Sequence, residues 1–388
     1  MFKITHKSGK ARTGIIYTPH GKIETPEFIP VATLATVRAL SQEDMHSLGS
    51  QALLANTYHL HLRPGEDLIK KFGGLHGFMN WDKPIVTDSG GFGMEHDIGK
   101  FASFFPEEEK YGKKKRKLEK WAKVDDTGVT FKNPVMGNKI KLTPKKSIEI
   151  QNKLGADIIF AFDECTSPLS DKKYNKVALE RTHKWALECL KHHKNKKQAL
   201  FGIVQGSFFK DLRTKSAKFI GKLDFPGFGI GGSLGRDKEE MHKILEWVMP
   251  HLPEDKPRHL LGIGAVEDLF NAIERGIDTF DCVAPTRWAR RGRLFVKPPL
   301  GSMKNKYRIN IQNGSFRMDK KPIDPNCDCF VCKNYSRGYL RHLFVNKEMA
   351  FARLASYHNE YFILNLVKEI RNSIKEGTFK KLKKKWLS

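Results

Sequence analysis

An α/β fold, specifically a (β/α)8 barrel of about 250 residues with additions, is predicted by two features of this 388-residue chain. Eight short β-branched or apolar runs follow one another from residue 26 onward, and helix-like segments separate several of them. An open doubly wound sheet is the alternative, although no Gly-rich dinucleotide fingerprint follows the first run.

In chain order the runs are "EFIPVAT" (27–33), "ALLANTYHL" (52–60), "PIVTDS" (84–89), "ADIIFAFDE" (156–164), "ALFGIVQ" (199–205), "GFGIGG" (227–232), "RHLLGIG" (258–264) and "TFDCVAPT" (279–286). Between them "SIEIQNKLG", "ALERTHKWALECLKHH" and "EEMHKILEWVM" carry helical periodicity. Eight such units with right-handed crossovers close into a barrel. Two stretches interrupt the rhythm. After the third run a basic insertion around 94–128, with lysines clustered from Lys113 to Lys117, is too charged to fill a barrel layer. After the eighth come a short β-like segment, a cysteine cluster and a helical tail ending "KEGTFKKLKKKWLS". The expected organisation is a barrel over 1–300 with its insertion, then a metal-binding subdomain with C-terminal helices over 301–388.

Lysine and arginine number 69 against 43 acidic residues, a formal charge of +26. That excess speeds encounter with polyanions and makes nucleic acid the leading partner class. No apolar run approaches the roughly 18 residues of a membrane span, and the basic start "MFKITHKSGKARTG" lacks the apolar core of a signal peptide. A soluble cytoplasmic protein is expected.

Chemistry in such a barrel belongs at the C-terminal ends of the strands. Unusual polar groups collect there: Asp88-Ser89-Gly90-Gly91 after the third run, Asp163-Glu164 after the fourth, Gln205 after the fifth, Gly231-Gly232 after the sixth and Asp281 in the eighth. Each has a structural explanation on its own, Asp88 as a helix cap and the glycines as turns. Their shared placement favours chemistry. Two carboxylates suit substitution at a sugar anomeric carbon: one attacks, the other protonates the leaving group and later takes a proton back, so configuration is retained.

"CDCFVC" supplies Cys327, Cys329 and Cys332, and His358 follows in "SYHNEY" on a helical segment, with His342 as the competing fourth ligand. Three thiolates and one imidazole make a closed, tetrahedral, structural zinc site. Cys189 and Cys282 have no such neighbours and read as packing residues.

Taken together, "TDSGGF" (87–92), "FDECT" (162–166), "GIVQGS" (202–207), "IGG" (230–232), "HLLGIG" (259–264), "GIDTFDCVAPTRWAR" (276–290) and "CDCFVC" with His358 resemble the tRNA-guanine transglycosylases over nearly the whole chain. The resemblance implies exchange of the anticodon wobble guanine of tRNA for a 7-deazaguanine, the aminomethyl form in most bacteria and queuine in eukaryotes. It implies Asp281 as nucleophile and Asp88 as general acid and base. The base would be held by Ser89, Gly90, Gly91, Phe92, Asp163, Cys165, Gln205, Gly231, Gly232 and Leu261. Flanking RNA would meet two stretches. The first is Gly262, Ile263, Gly264, Ala265, Val266, Glu267 and Asp268; the second is Thr286, Arg287, Trp288, Ala289 and Arg290. A homodimer contacting through the zinc region is also implied. A base must leave the stack before its glycosidic bond is attacked, which requires an aromatic platform and cations along the displaced strand.

This sequence departs from the family pattern at Gly93, where glutamine is usual, and in "GGSLGRDKEE" (231–240), one residue short and carrying Ser233 and Arg236. Cys165 fits the aminomethyl-base pattern, while the shortened loop favours room for queuine. Three rivals predict other features. The archaeal D-loop enzyme needs further RNA-binding domains, a noncatalytic partner subunit has no need of Asp88 and Asp281, and a zinc hydrolase places metal ligands at strand ends.

Overall fold

The computed structural model describes residues 1–91, 122–133, 136–232 and 238–388. An antiparallel sheet opens the chain, with β1 (Phe2–Ser8), β2 (Ala11–Thr18) and β3 (Gly21–Thr25). Then come β4 (Glu27–Pro30), β5 (Leu53–Ala55) and β6 (Ile85–Thr87). A second antiparallel sheet follows: β7 (Ala122–Asp125), β8 (Gly128–Lys132) and β9 (Lys139–Leu142). The parallel series resumes with β10 (Ile158–Phe160), β11 (Ala199–Val204), β12 (Phe228–Ile230), β13 (Arg258–Leu260) and β14 (Thr279–Cys282). A two-stranded ribbon of β15 (Arg293–Phe295) and β16 (Arg308–Asn310) leads to the last helices.

Each of the eight predicted runs contains one strand of an eight-stranded sheet in the order β4–β14–β13–β12–β11–β10–β6–β5. A parallel bridge between Val31 and Leu54 relates the first and last strands of that order. This is the topology of a nearly closed, eight-stranded parallel barrel, as the sequence predicts.

Local chemistry sets the boundaries. The second run overshoots its strand, because Asn56 caps a helix over Thr57–Leu62 by accepting from His59 N–H. The eighth run likewise ends at Cys282, and Pro285 lies in the first turn of a helix over Ala284–Arg290, where its missing N–H costs nothing. The two antiparallel sheets were absent from the predicted organisation. In the second, Val129, Phe131 and Leu142 are buried although its strands also carry Lys132, Lys139 and Lys141. The lysine cluster at 113–117 lies outside the described residues.

The chain forms two compact units. One comprises residues 1–54, 79–84 and 257–388. There the buried Asp278 accepts two bonds from Arg12, at 2.9 and 2.6 Å, and one from Arg258 N–H at 2.8 Å. The other comprises residues 55–78 and 85–256, with Phe160, Phe162, Phe201, Phe225 and Phe228 in its core. No helix among the described residues is long and apolar enough to cross a membrane.

Candidate active site and metal centre

Asp88 immediately follows β6 and sits in a cage of donors. Thr57 N–H and Gly90 N–H reach its Oδ1 at 2.9 and 3.1 Å, and Asn56 Nδ2 donates to Oδ2. The Thr57 hydroxyl anchors the Asp88 carbonyl at 2.6 Å. Donors on both oxygens fix the orientation of the carboxyl group. Asn56 and Thr57 were not among the sequence candidates, because they sit inside an apparently continuous β run.

In the same unit Asp163 follows β10 and is buried. Its Oδ1 accepts from the Ser89 hydroxyl at 3.1 Å and its Oδ2 from Gln205 Nε2 at 2.6 Å. Burial pushes its carboxyl up from 3.8 to about 6, against the lowering effect of both hydrogen bonds. Space here requires glycine. A Cβ on Gly91 would lie 2.6 Å from the Asp163 carbonyl, and one on Gly232, at φ +80°, would lie 2.1 Å from Gln205 Oε1. Gly231 N–H donates to Val204 O at 3.1 Å, and Cys165 is buried. Behind Asp163, the buried Glu164 accepts from Arg181 and, at 2.6 Å, from the Tyr174 hydroxyl. Phe92, Gly93, Ser233 and Arg236 lie outside the described residues.

In the first unit, Asp281 on β14 accepts at Oδ1 from Gly262 N–H at 3.1 Å, and His259 Nε2 lies 3.0 Å from the same oxygen. His259, on β13, was not singled out because it lies within an apolar run. Gly262 adopts φ +76° in the turn after β13, a conformation that favours glycine. Leu261, Ile263, Ala265 and Glu267 are half-buried, whereas Gly264, Val266 and Asp268 are buried. On the helix after β14, Arg287, Trp288 and Arg290 are half-buried while Thr286 and Ala289 are buried. The Arg308 guanidinium covers a face of Trp288, 4.0 Å from the ring centroid. Burial, and then Arg38, Arg287 and Arg291 nearby, hold Arg290 below the ordinary arginine pKa. A concentration of like charge of this kind suits a polyanion. Arg38 was another residue missed from sequence.

At the metal centre, His358 Nδ1 lies 3.9, 3.5 and 3.4 Å from the sulfurs of Cys327, Cys329 and Cys332. Tetrahedral zinc with ordinary bond lengths places imidazole nitrogen and thiolate sulfur about 3.6 Å apart. His358 Nε2 donates to Phe295 O at 2.7 Å, which leaves Nδ1 as the ligating atom. His342 instead bonds Asn346 through Nδ1 at 3.2 Å, so the competing assignment fails. All four ligands are buried, the cysteines in an apolar cluster with Leu294, Val296, Ile323 and Val331. The set fits a structural zinc ion.

A family model described as queuine tRNA-ribosyltransferase matches residues 7–388. A Fusobacterium nucleatum queuine tRNA-ribosyltransferase is 45% identical, covering 100% of this chain and 97% of its own. One from Bacillus subtilis is 46% identical over 95% of this chain and 90% of its own. An Archaeoglobus fulgidus protein, provisionally named for the same activity, is 57% identical over 100% of this chain and 98% of its own. With matches spanning nearly the whole length, the chain belongs to the queuine tRNA-ribosyltransferase family and is a pentosyltransferase.

Proposed function

We propose that the chain exchanges the wobble guanine of a tRNA anticodon for 7-aminomethyl-7-deazaguanine by double displacement. An Asp281 oxygen attacks ribose C1′ while the bond from C1′ to guanine N9 breaks and Asp88 delivers a proton to the departing base. The incoming base then loses a proton to Asp88, its N9 attacks C1′, and Asp281 leaves as a carboxylate. Two inversions at C1′ retain configuration.

The observation that carries this reading is Asp163. It is a buried acceptor, tied by Ser89 and Gln205 and packed closely by Gly91 and Gly232, and it suits the Watson–Crick donor edge of guanine. Gly231, Gly232, Cys165 and Leu261 complete that pocket in this reading, with Phe92 stacking on the base. Arg287 and Arg290, with Thr286, Trp288 and Ala289 on their helix, and the turn from Gly262 to Asp268 meet the flanking RNA. The enzyme acts in the cytoplasm as a homodimer that contacts through the zinc region. Supporting that contact, Phe330 and Tyr339 are each 46% exposed beside the metal cluster, and Tyr339 stacks on Tyr335 at 5.6 Å.

The test is an exchange assay on an anticodon stem-loop, with labelled guanine, 7-aminomethyl-7-deazaguanine and queuine in competition. Preferential incorporation of the aminomethyl base is expected. Absence of any exchange overturns the reading, and preference for queuine overturns the base assignment.

A further inference from the structure

Asp281 is held by only one of its two oxygens. His259 Nε2 and Gly262 N–H both engage Oδ1, at 3.0 and 3.1 Å, and among the described residues nothing hydrogen-bonds Oδ2. The histidine side chain is 2% exposed and that of Asp281 is 13% exposed, so the pair is shielded while the carboxylate keeps some access.

The sheet builds this contact. His259 on β13 pairs in register with Thr279 on β14, and Asp281, two residues along β14, presents its side chain on the same face as Thr279. The imidazole is thereby bracketed, with Nδ1 2.9 Å from Thr279 Oγ1 and Nε2 against the carboxylate. An ionised carboxylate can only accept, so Nε2 carries a proton. In the neutral ring Nδ1 then accepts the Thr279 hydroxyl proton. One hydroxyl and one carboxylate together fix the tautomer and the plane of the ring.

We propose that His259 is a positioning residue for Asp281, holding Oδ1 so that Oδ2 is the oxygen that attacks. This rests on the reading of Asp281 as the nucleophile. With Gly262 N–H alone, the carboxylate could swing about its Cβ–Cγ bond; two donors on one oxygen fix its plane. As Oδ2 gives its electron pair to C1′ and the bond from C1′ to the departing base breaks, Nε2–H keeps its bond to the oxygen that becomes the ester carbonyl. When the second base displaces Asp281, the same N–H meets the negative charge returning to the carboxylate. His259 neither gains nor loses a proton in the cycle and does not touch the substrate.

The experiment compares His259→Phe, which keeps an aromatic ring but lacks the donor, with His259→Gln, whose side-chain amide can donate to Asp281. The readouts are the single-turnover rate of adduct formation with stem-loop RNA, the guanine KM, the RNA Kd and thermal unfolding. His259→Phe is expected to slow adduct formation about a hundredfold, with KM and Kd within about twofold of the parent, because the loss lies in alignment. His259→Gln should recover at least about tenfold of that loss. A parent rate in His259→Phe, or equal losses in both variants, overturns the inference. Should His259→Phe fail to fold, Thr279→Val serves, and an unchanged rate there overturns it equally. Asp281→Ala runs alongside. If it still forms the adduct, the nucleophile reading falls; if it is inactive while His259→Phe matches the parent, only the positioning role falls.

Discussion

Gln205 Nε2 donates to Asp163 Oδ2 at 2.6 Å, and this bond bears directly on the protonation of a buried carboxyl whose pKa is raised to about 6. Because burial lifts the folded pKa above the unfolded value, the stabilisation belongs to the protonated form. It is fully present below the ordinary aspartate value of 3.8 and is lost as pH rises through about 6.

Base recognition by Asp163 in the proposed site has the opposite dependence, since only the ionised carboxylate can accept from both N1–H and N2–H of guanine. Guanine KM should therefore rise about tenfold between pH 7 and pH 5. Gln205→Leu should move that transition upward by about one pH unit, through loss of a hydrogen bond to a charged group. Steady-state exchange across this range checks both, and a flat KM removes Asp163 from the base site.

Arg290 sits half-buried among Arg38, Arg287 and Arg291, so its charge is costly in the free protein. Replacing it with methionine should leave thermal stability equal or higher while weakening stem-loop binding about tenfold and lowering the salt slope by about one. Titrations at several salt concentrations measure this. Unchanged affinity would take the arginine out of the RNA interface.

The zinc-ligating cysteines share a cluster with Leu294, Val296, Ile323 and Val331, so the metal and apolar packing support the same part of the fold. Chelation, or His358→Ala, should lower the melting temperature, with exchange protection lost first around residues 327–358. Metal analysis and hydrogen exchange report this together. An apoprotein with the parent melting temperature would contradict a structural zinc.

Arg12, on β2, and Asp278, immediately before β14, form a buried pair. Arg12→Met leaves Asp278 buried without its main partner, and it should cost about 3–5 kcal/mol in equilibrium unfolding. A loss below about 1 kcal/mol would mark the pair as dispensable.

The barrel was legible because its strands are buried and therefore apolar, as in "ALFGIVQ", where β11 occupies Ala199–Val204. The antiparallel sheets were not. "FKITHKS" exposes most of its side chains, and "KIKL" buries only Leu142 fully, so neither shows an apolar run. At the site, residues at strand ends stood out by polarity, and the ligating histidine by its place after the cysteines. His259, Asn56 and Arg38 did not, because their importance lies in a cross-strand register, a helix cap and a tertiary cluster that sequence order does not display.

Asp281 as nucleophile is the central claim, and trapping tests it most directly. The protein is incubated with stem-loop RNA, denatured and digested, and the ribose-bearing peptide is sequenced by mass spectrometry. The predicted result is one modified peptide, with the sugar on Asp281 and no adduct in Asp281→Ala. Ribose attached at Asp88, or an undiminished adduct in Asp281→Ala, would contradict it.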